Sequence, residues 1–360
     1  MHGLQLLANK QNLADTRWVD QPLPERDELE ADQVLLRVEE FALTANNITY
    51  AVAGESMRYW DFFPAEEGWG RVPVWGFATV VASNHESVSE GERVYGYFPI
   101  GSHLLITAGK VKAHQLTDVS AHRGDLPAVY NQLLRVAGPP QPEIDAAQML
   151  YRPLFMTSFL LDDFAASNDF FGATDIVLTS ASSKTALGLG LLLAQRDNVR
   201  VIGVTGTGNV DFVQGLGCYD QVVTYDSIGE LDATRQAMVI DMAGNGSALA
   251  ALHNHYADNL RYSCLVGATH WNQLSGAQDM AGPKPEGFFA PAHIQNRDWG
   301  AGGLEGAFAG AWESMMGAVT GKIEVVRSSD QHEIEAIYQR QLAGEVSPST
   351  GYVLTVPAGA

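Results

Sequence analysis

Between residues 175 and 267 the chain alternates short apolar runs with helical patterns, and this rhythm constrains the fold more than any other feature. A strand at 176–179 leads to a helix at 184–195, and a strand at 199–204 leads to a helix at 209–216. A short strand at 221–224 follows. A strand at 237–241 then leads to a helix at 247–255, and another strand occupies 261–267. Strands this short, apolar along their whole length and separated by helices, are those of a parallel sheet buried on both faces. Their connections are right-handed βαβ crossovers. The sequence therefore predicts an α/β fold with a Rossmann-type, doubly wound parallel sheet.

The first of these units, Asp175-Ile-Val-Leu-Thr-Ser-Ala-Ser-Ser-Lys-Thr-Ala-Leu-Gly188, reads as a buried strand, a tight turn and the start of an apolar helix. In a doubly wound sheet this turn is where backbone N–H groups at a helix N-terminus hold the pyrophosphate of a dinucleotide. The glycines common in such turns are replaced here, and only Gly188 keeps its place. Ser180, Ser182, Ser183 and Thr185 are small and bring hydroxyl donors. Lys184 puts a cation in the first helical turn, where the helix dipole disfavours it unless a phosphate is near. Two readings stand for this segment: phosphate contact, or serines that only cap the helix beside a solvated lysine.

The end of the second strand bears on cofactor choice. Arg200-Val-Ile-Gly-Val-Thr-Gly-Thr-Gly-Asn209 carries no acid to grip a ribose 2′-hydroxyl, and the first carboxylate is Asp211. This favours NADP over NAD. No Lys or Arg occurs from 201 to 234, so a 2′-phosphate would rest on Thr205, Thr207 and Asn209. Gly267 and His270 follow the strand at 261–267, at the carboxyl end of the sheet. His270 there either touches the cofactor or is a hydrogen-bonded structural residue.

The first third of the chain is strand-rich. It includes an aromatic segment, Ser56-Met-Arg-Tyr-Trp-Asp-Phe-Phe-Pro-Ala-Glu-Glu-Gly-Trp69, that could line a substrate site, meet a partner or cover a sheet end. Ala137-Gly-Pro-Pro-Gln-Pro142 interrupts regular structure, and the pattern loosens again after Gly282, through a glycine-rich 300–310. These breaks suggest a β-rich domain at 1–150, the dinucleotide domain at 151–285, and a return to the first domain at 286–360. The net charge of −20 argues against nucleic acid or an anionic membrane surface as partner. Cys218 and Cys264 are too few for a disulfide framework or a four-thiolate zinc site. With no signal-peptide pattern and no apolar run long enough to span a bilayer, the expected location is cytoplasmic.

Several short motifs then share one likeness. Gly91-Glu-Arg-Val-Tyr-Gly96 resembles the G-D-R-V-Y-G turn of the medium-chain dehydrogenase/reductase superfamily. Val201-Ile-Gly-Val-Thr-Gly206 with Leu216-Gly-Cys-Tyr-Asp-Gln-Val-Val223 resembles its second strand and the L-G-A-D-x-V-I that follows. Val239-Ile-Asp-Met-Ala-Gly244 and Gly351-Tyr-Val-Leu354 resemble its D-x-x-G and closing strands. The likeness is strongest to the zinc-free quinone-reductase and enoyl-reductase branch, and within it to a bacterial family of unknown function. It implies a GroES-like β-rich domain beside the Rossmann domain, NADPH as hydride donor, a small enone, quinone or carbonyl compound as substrate, and a possible homodimer. Thr44-Ala-Asn-Asn-Ile-Thr-Tyr50 and Trp75-Gly-Phe-Ala78 stand where zinc-dependent members carry metal ligands, so no metal is expected. By the same resemblance, Asn46, Asn47 and Tyr50 face nicotinamide and substrate; the other reading is a loop whose Asn residues satisfy backbone groups. Tyr130, ahead of the proline-rich stretch, is a further candidate donor. An amide and a phenol donate hydrogen bonds to a developing oxyanion without a metal. The alternative is a non-catalytic binding or sensor protein with a degenerate dinucleotide site.

Overall fold

The computed structural model describes residues 2–242, 244–266, 280–319 and 323–358. In chain order the elements are β1 (His2–Asn9), β2 (Thr16–Pro22), β3 (Gln33–Leu43), α1 (Ala45–Val52), β4 (Trp69–Arg71) and β5 (Pro73–Ser83). They continue with β6 (Arg93–Pro99), β7 (His103–Gly109), β8 (Gln115–Asp118), β9 (Gln132–Val136), α2 (Pro142–Ser167), β10 (Asp175–Leu178) and α3 (Lys184–Leu193). Next come β11 (Arg200–Thr205), α4 (Val210–Gly215), β12 (Gln221–Thr224), β13 (Ala237–Asp241), α5 (Gly246–Tyr256) and β14 (Leu260–Val266). The last are β15 (Glu286–Phe288), α6 (Ala290–Asn296), α7 (Gly303–Val319), β16 (Glu324–Ser328), α8 (Gln331–Ala343) and β17 (Thr350–Leu354). The chain divides into two units, Met1–Leu150 with Ile323–Ala360, and Tyr151–Lys322.

The first unit is β-rich. Its larger sheet runs β16-β17-β3-β5-β6-β9-β8-β7, and β7 pairs back onto β3, which closes a barrel. Closure needs sharp local bending, and β3 supplies it with register shifts against β5 at Leu35/Leu36 and Val38/Glu40. Gly76 pairs with Phe41 just beyond the second shift, where a Cβ would lie 2.4 Å from the Glu40 carbonyl oxygen, so a side chain has no room there. Phe41, Phe62, Val74, Tyr97 and Phe98 are among the fully buried residues of this core. The aromatic segment of the sequence belongs to it: Tyr59, Trp60, Phe62 and Phe63 are all buried, so these rings stabilise the barrel and form no partner surface.

The second unit is the doubly wound sheet, in the order β12-β11-β10-β13-β14-β15 with all neighbours parallel. Renumbered within the sheet this is 3-2-1-4-5-6, with its topological switch point between β10 and β13. Both faces are covered, as apolar strands require. Val177 and Val239 pack with Leu249, Leu252 and Tyr256 of α5 on one side, and Ile176, Leu178 and Ile240 pack with Leu161, Leu189 and Leu193 on the other. Asp175 opens β10 fully buried, held by Arg235 (2.6 Å) and Arg200 (3.3 Å).

Three expectations change. The helix α2 begins at Pro142, inside the proline-rich stretch, because proline is tolerated in a first helical turn whose N–H groups lack partners anyway. The glycine-rich segment forms α7, whose Phe308, Met315 and Val319 are buried. Residues 286–322 group with the second unit and not the first, since β15 extends the parallel sheet on β14. Cys218 and Cys264 are unbridged and buried, and burial pushes both thiols up to about 12. Among the described residues no helix is long and apolar enough to cross a membrane.

Candidate functional site

In the second unit the candidate residues gather at the carboxyl end of β10, beside the switch point. Thr179 closes the strand end: its hydroxyl donates to Asp241 on β13 (2.5 Å) and accepts the Met242 N–H (2.9 Å). Ser180 then takes a left-handed φ of 50°, and its N–H donates to the Tyr225 hydroxyl (3.0 Å). This turns the chain sharply without glycine, a strained conformation that Tyr225 helps to hold. The Ala181 carbonyl accepts from Tyr219 (2.9 Å). Ser183 is the N-cap of α3, its hydroxyl oxygen accepting the Ala186 N–H (3.2 Å). Ser182 accepts from the Asn209 amide (3.3 Å), which ties the loop after β11 to the turn.

Lys184 and Thr185 form the first turn of α3, where N–H groups have no intrahelical acceptor and the dipole favours an anion. The Thr185 carbonyl accepts from Ser158 (2.7 Å). Burial lowers the Lys184 pKa to about 8, so the protein spends stability to place a cation there. The one retained glycine has a packing role. A Cβ on Gly188 would lie 2.8 Å from both Phe155 and Ser158 of α2, so the missing side chain lets the two helices approach.

The loop after β11 is open where phosphate would need space: Cβ atoms on Gly206 and Gly208 would meet nothing within 4 Å. Thr207 and Asn209 flank Gly208 in a single helical turn. Thr205 is 1% exposed, and its hydroxyl has no hydrogen-bond partner among the described residues. A turn of hydroxyl donors, an N-capped helix, a cation and an orphaned hydroxyl fit a phosphate-bearing ligand. Gly267 and His270 lie outside the described residues.

The β-rich unit carries the other group. Tyr50 on α1 is buried and accepts the Trp75 indole N–H (3.2 Å), and the Asn46 side chain also bonds to it. The Tyr59 and Tyr130 hydroxyls are 3.3 Å apart. Tyr50 packs against Tyr59 (4.7 Å between centroids), Tyr97 (5.4 Å) and Tyr130 (6.2 Å). Burial raises the pKa of Tyr50, Tyr59, Tyr97 and Tyr130, so all are neutral donors near pH 7. Tyr130 is the half-buried member of the group.

Asn47 does not join them. Its carbonyl oxygen accepts the Thr44 N–H (2.7 Å) and hydroxyl (3.1 Å), and its amide donates to Pro73 (2.9 Å). It completes the capping box of α1 with Thr44 and anchors the start of β5. Sequence reasoning did not single out Tyr97, Trp75 or Tyr225, and Tyr59 entered only as part of the aromatic segment. Tyr225 had a readable signal, its place immediately after the strand at 221–224.

The closed barrel and the 3-2-1-4-5-6 sheet make up a fold shared with solved structures of low sequence identity. Solved structures of that fold superpose over nearly the whole chain. CurA from Vibrio vulnificus matches with a TM-score of 0.62 at 13% identity, covering 99% of this chain and 100% of its own. The CurK enoyl reductase gives 0.59 at 14%, covering 99% of each chain. A mutant form of enoyl thioester reductase from Candida tropicalis gives 0.58 at 12%, covering 99% and 100%. CurA has also been solved in complex with NADPH. Residues 41–347 match the family model described as protein of unknown function (DUF2855), and the chain belongs to that family. A comparison with curated proteins found no match.

Proposed function

We propose that this protein is an NADPH-dependent oxidoreductase of enoyl-reductase type that reduces a small enone, quinone or related carbonyl compound. The observation that carries the reading is the hydroxyl-lined turn 180–185 at the switch point, where Ser183 caps α3 and Lys184 is held at a cost in stability. The solved structures of the same fold support it, since one holds NADPH and another is an enoyl reductase.

In this reading Ser182, Ser183, Lys184 and Thr185 hold the pyrophosphate, and Thr205, Thr207 and Asn209 hold the 2′-phosphate. When bound, NADPH supplies a hydride. The Tyr50 phenol, with Asn46 beside it, donates a hydrogen bond to the substrate oxygen and stabilises the negative charge that develops there. Tyr59 orients the half-buried Tyr130 through their shared hydroxyl bond, so that Tyr130 acts as the second donor. The surrounding rings exclude water and strengthen both bonds.

A second reading, a binding protein without turnover, draws on the turn's internal bonds: the Ser180 N–H is already given to Tyr225, and the Ser182 hydroxyl oxygen already accepts from Asn209. One experiment separates the two. Nicotinamide absorbance is followed with NADPH or NADH and a panel of enoyl thioesters, quinones and enones. The enzyme reading expects NADPH consumption with one substrate class and a slower rate with NADH. NADPH binding with the whole panel unreduced selects the second reading, and absence of both removes the cofactor assignment.

A further inference from the structure

The β-rich unit contains a charged group that the proposed chemistry leaves unused. Arg71, the last residue of β4, is 8% exposed, and its Nε and Nη2 have no hydrogen-bond partner among the described residues. No carboxylate among the described residues pairs with it. Burial lowers its pKa to about 10, and the nearby Arg123 adds to that effect. Arg123 is 2% exposed and pairs with Asp118 (2.8 Å), while its Nη1 donates to the Asn131 side chain (3.2 Å). Both guanidinium groups lie near one ring, that of Phe63, with carbons 6.0 and 4.8 Å from its centroid. The Tyr97 ring is 5.6 Å from the same centroid, and its buried hydroxyl also has no partner among the described residues.

Two cations and one carboxylate leave this cluster one positive charge in excess, among aromatic rings. A buried charge of that kind is normally paired. The imbalance is the more telling in a chain with 42 acidic residues against 22 lysines and arginines. The orphaned atoms specify a shape as well as a sign. Nε and Nη2 form the edge of a guanidinium that binds both oxygens of a carboxylate at once. This protein uses that edge twice elsewhere. Arg196 holds Asp162 through Nε and Nη2 (2.8 and 2.7 Å), and Arg297 holds Asp163 in the same way (2.9 and 3.0 Å).

We propose that Arg71, with Arg123 and the Tyr97 hydroxyl, forms a binding site for the carboxylate of a small organic acid. The cluster's single excess charge matches a monoanion. A phosphate dianion would leave a net negative charge in the same apolar surroundings, and a spherical halide would not use the paired edge. The site lies wholly within the β-rich unit and does not depend on the NADPH reading. Its ligand would lie beside the Tyr50 group, since Tyr97 packs against Tyr50 and Tyr130 (5.4 and 4.8 Å).

The test uses the full chain without nicotinamide. Thermal unfolding and titration calorimetry are run with sodium acetate and propionate, against chloride and phosphate at constant ionic strength. The expected result is saturable binding of one carboxylate per chain, with a matching rise in melting temperature and affinity at least tenfold above that for chloride or phosphate. Arg71→Met removes the cation that otherwise needs a counter-charge, so the variant is expected to fold and to lose the response entirely. Tyr97→Phe, which changes only a hydroxyl, keeps the fold and weakens binding several-fold; it carries the test if the first variant does not fold. A weak, unsaturable response equal in wild type and variants overturns the proposal, as does tightest binding of chloride or phosphate.

Discussion

Replacing Lys184 with methionine should make the free protein more stable and its NADPH complex weaker, and these opposite signs diagnose a residue kept for ligand binding. The magnitude follows from the lysine's surroundings. Burial moves its pKa from 10.5 to about 8, which corresponds to about 3 kcal/mol for keeping the ammonium charged, at 1.36 kcal/mol per pH decade. The side chain retains some contact with water, so a gain of about 1–2 kcal/mol is expected for Lys184→Met at pH 7. The sign with pH is fixed by linkage. Below pH 8 both folded and unfolded chains carry the proton and the full cost is present. Between pH 8 and 10.5 the folded protein has released its proton while the unfolded chain retains it, so wild-type stability climbs towards that of the variant. Urea unfolding of both proteins across this range should show the difference shrinking from its neutral-pH value towards zero. For the complex, a charge-assisted bond to phosphate is worth about 1.5–3 kcal/mol, so NADPH affinity should fall at least tenfold in Lys184→Met. A variant less stable than wild type at pH 7, or one that binds NADPH equally well, would show that Lys184 is not kept for the cofactor.

Other substitutions probe the aromatic group, the helix contact and the end of β11. Tyr50→Phe should lower kcat by about two orders of magnitude with little change in KM. It should also cost about 1 kcal/mol in stability, because the half-buried Trp75 loses the acceptor of its N–H. Gly188→Val pushes a side chain into α2, where Phe155 and Ser158 already stand 2.8 Å from a Cβ. Overpacking of this kind costs about 1–3 kcal/mol, read as a lower urea midpoint at unchanged slope. Thr205→Val removes a buried hydroxyl without a partner among the described residues, so the free protein should be no less stable while NADPH affinity drops several-fold. Equal NADPH affinity would take Thr205 out of the 2′-phosphate site.

The doubly wound sheet was legible because β10, β11 and β13 are buried on both faces, and burial of that kind writes itself as unbroken apolar runs. The turn at 180–185 was legible for the same reason, since a strand end and a helix start bracket it. The helix α7 was not. Its glycines suggest loop by propensity, and the buried Phe308, Met315 and Val319 that decide the matter are too widely spaced to stand out. Asn47 shows a different limit. A Thr-x-x-Asn spacing serves both a cap and an amide donor, and only the bonds to Thr44 and Pro73 tell which is made. Arg71 and Arg123 could not be paired from sequence at all, because they meet only when the aromatic segment around Phe63 folds into the barrel.

In the proposed function a bend built of serine, lysine and threonine cradles a dinucleotide's phosphates in place of glycine. A crystal structure of the protein soaked with NADPH tests it most directly. The expected result is pyrophosphate density on the N–H groups and hydroxyls of Ser182, Ser183 and Thr185, with the Lys184 ammonium against a phosphate oxygen. Density elsewhere, or a turn whose own side chains fill the space and admit no cofactor, would contradict it.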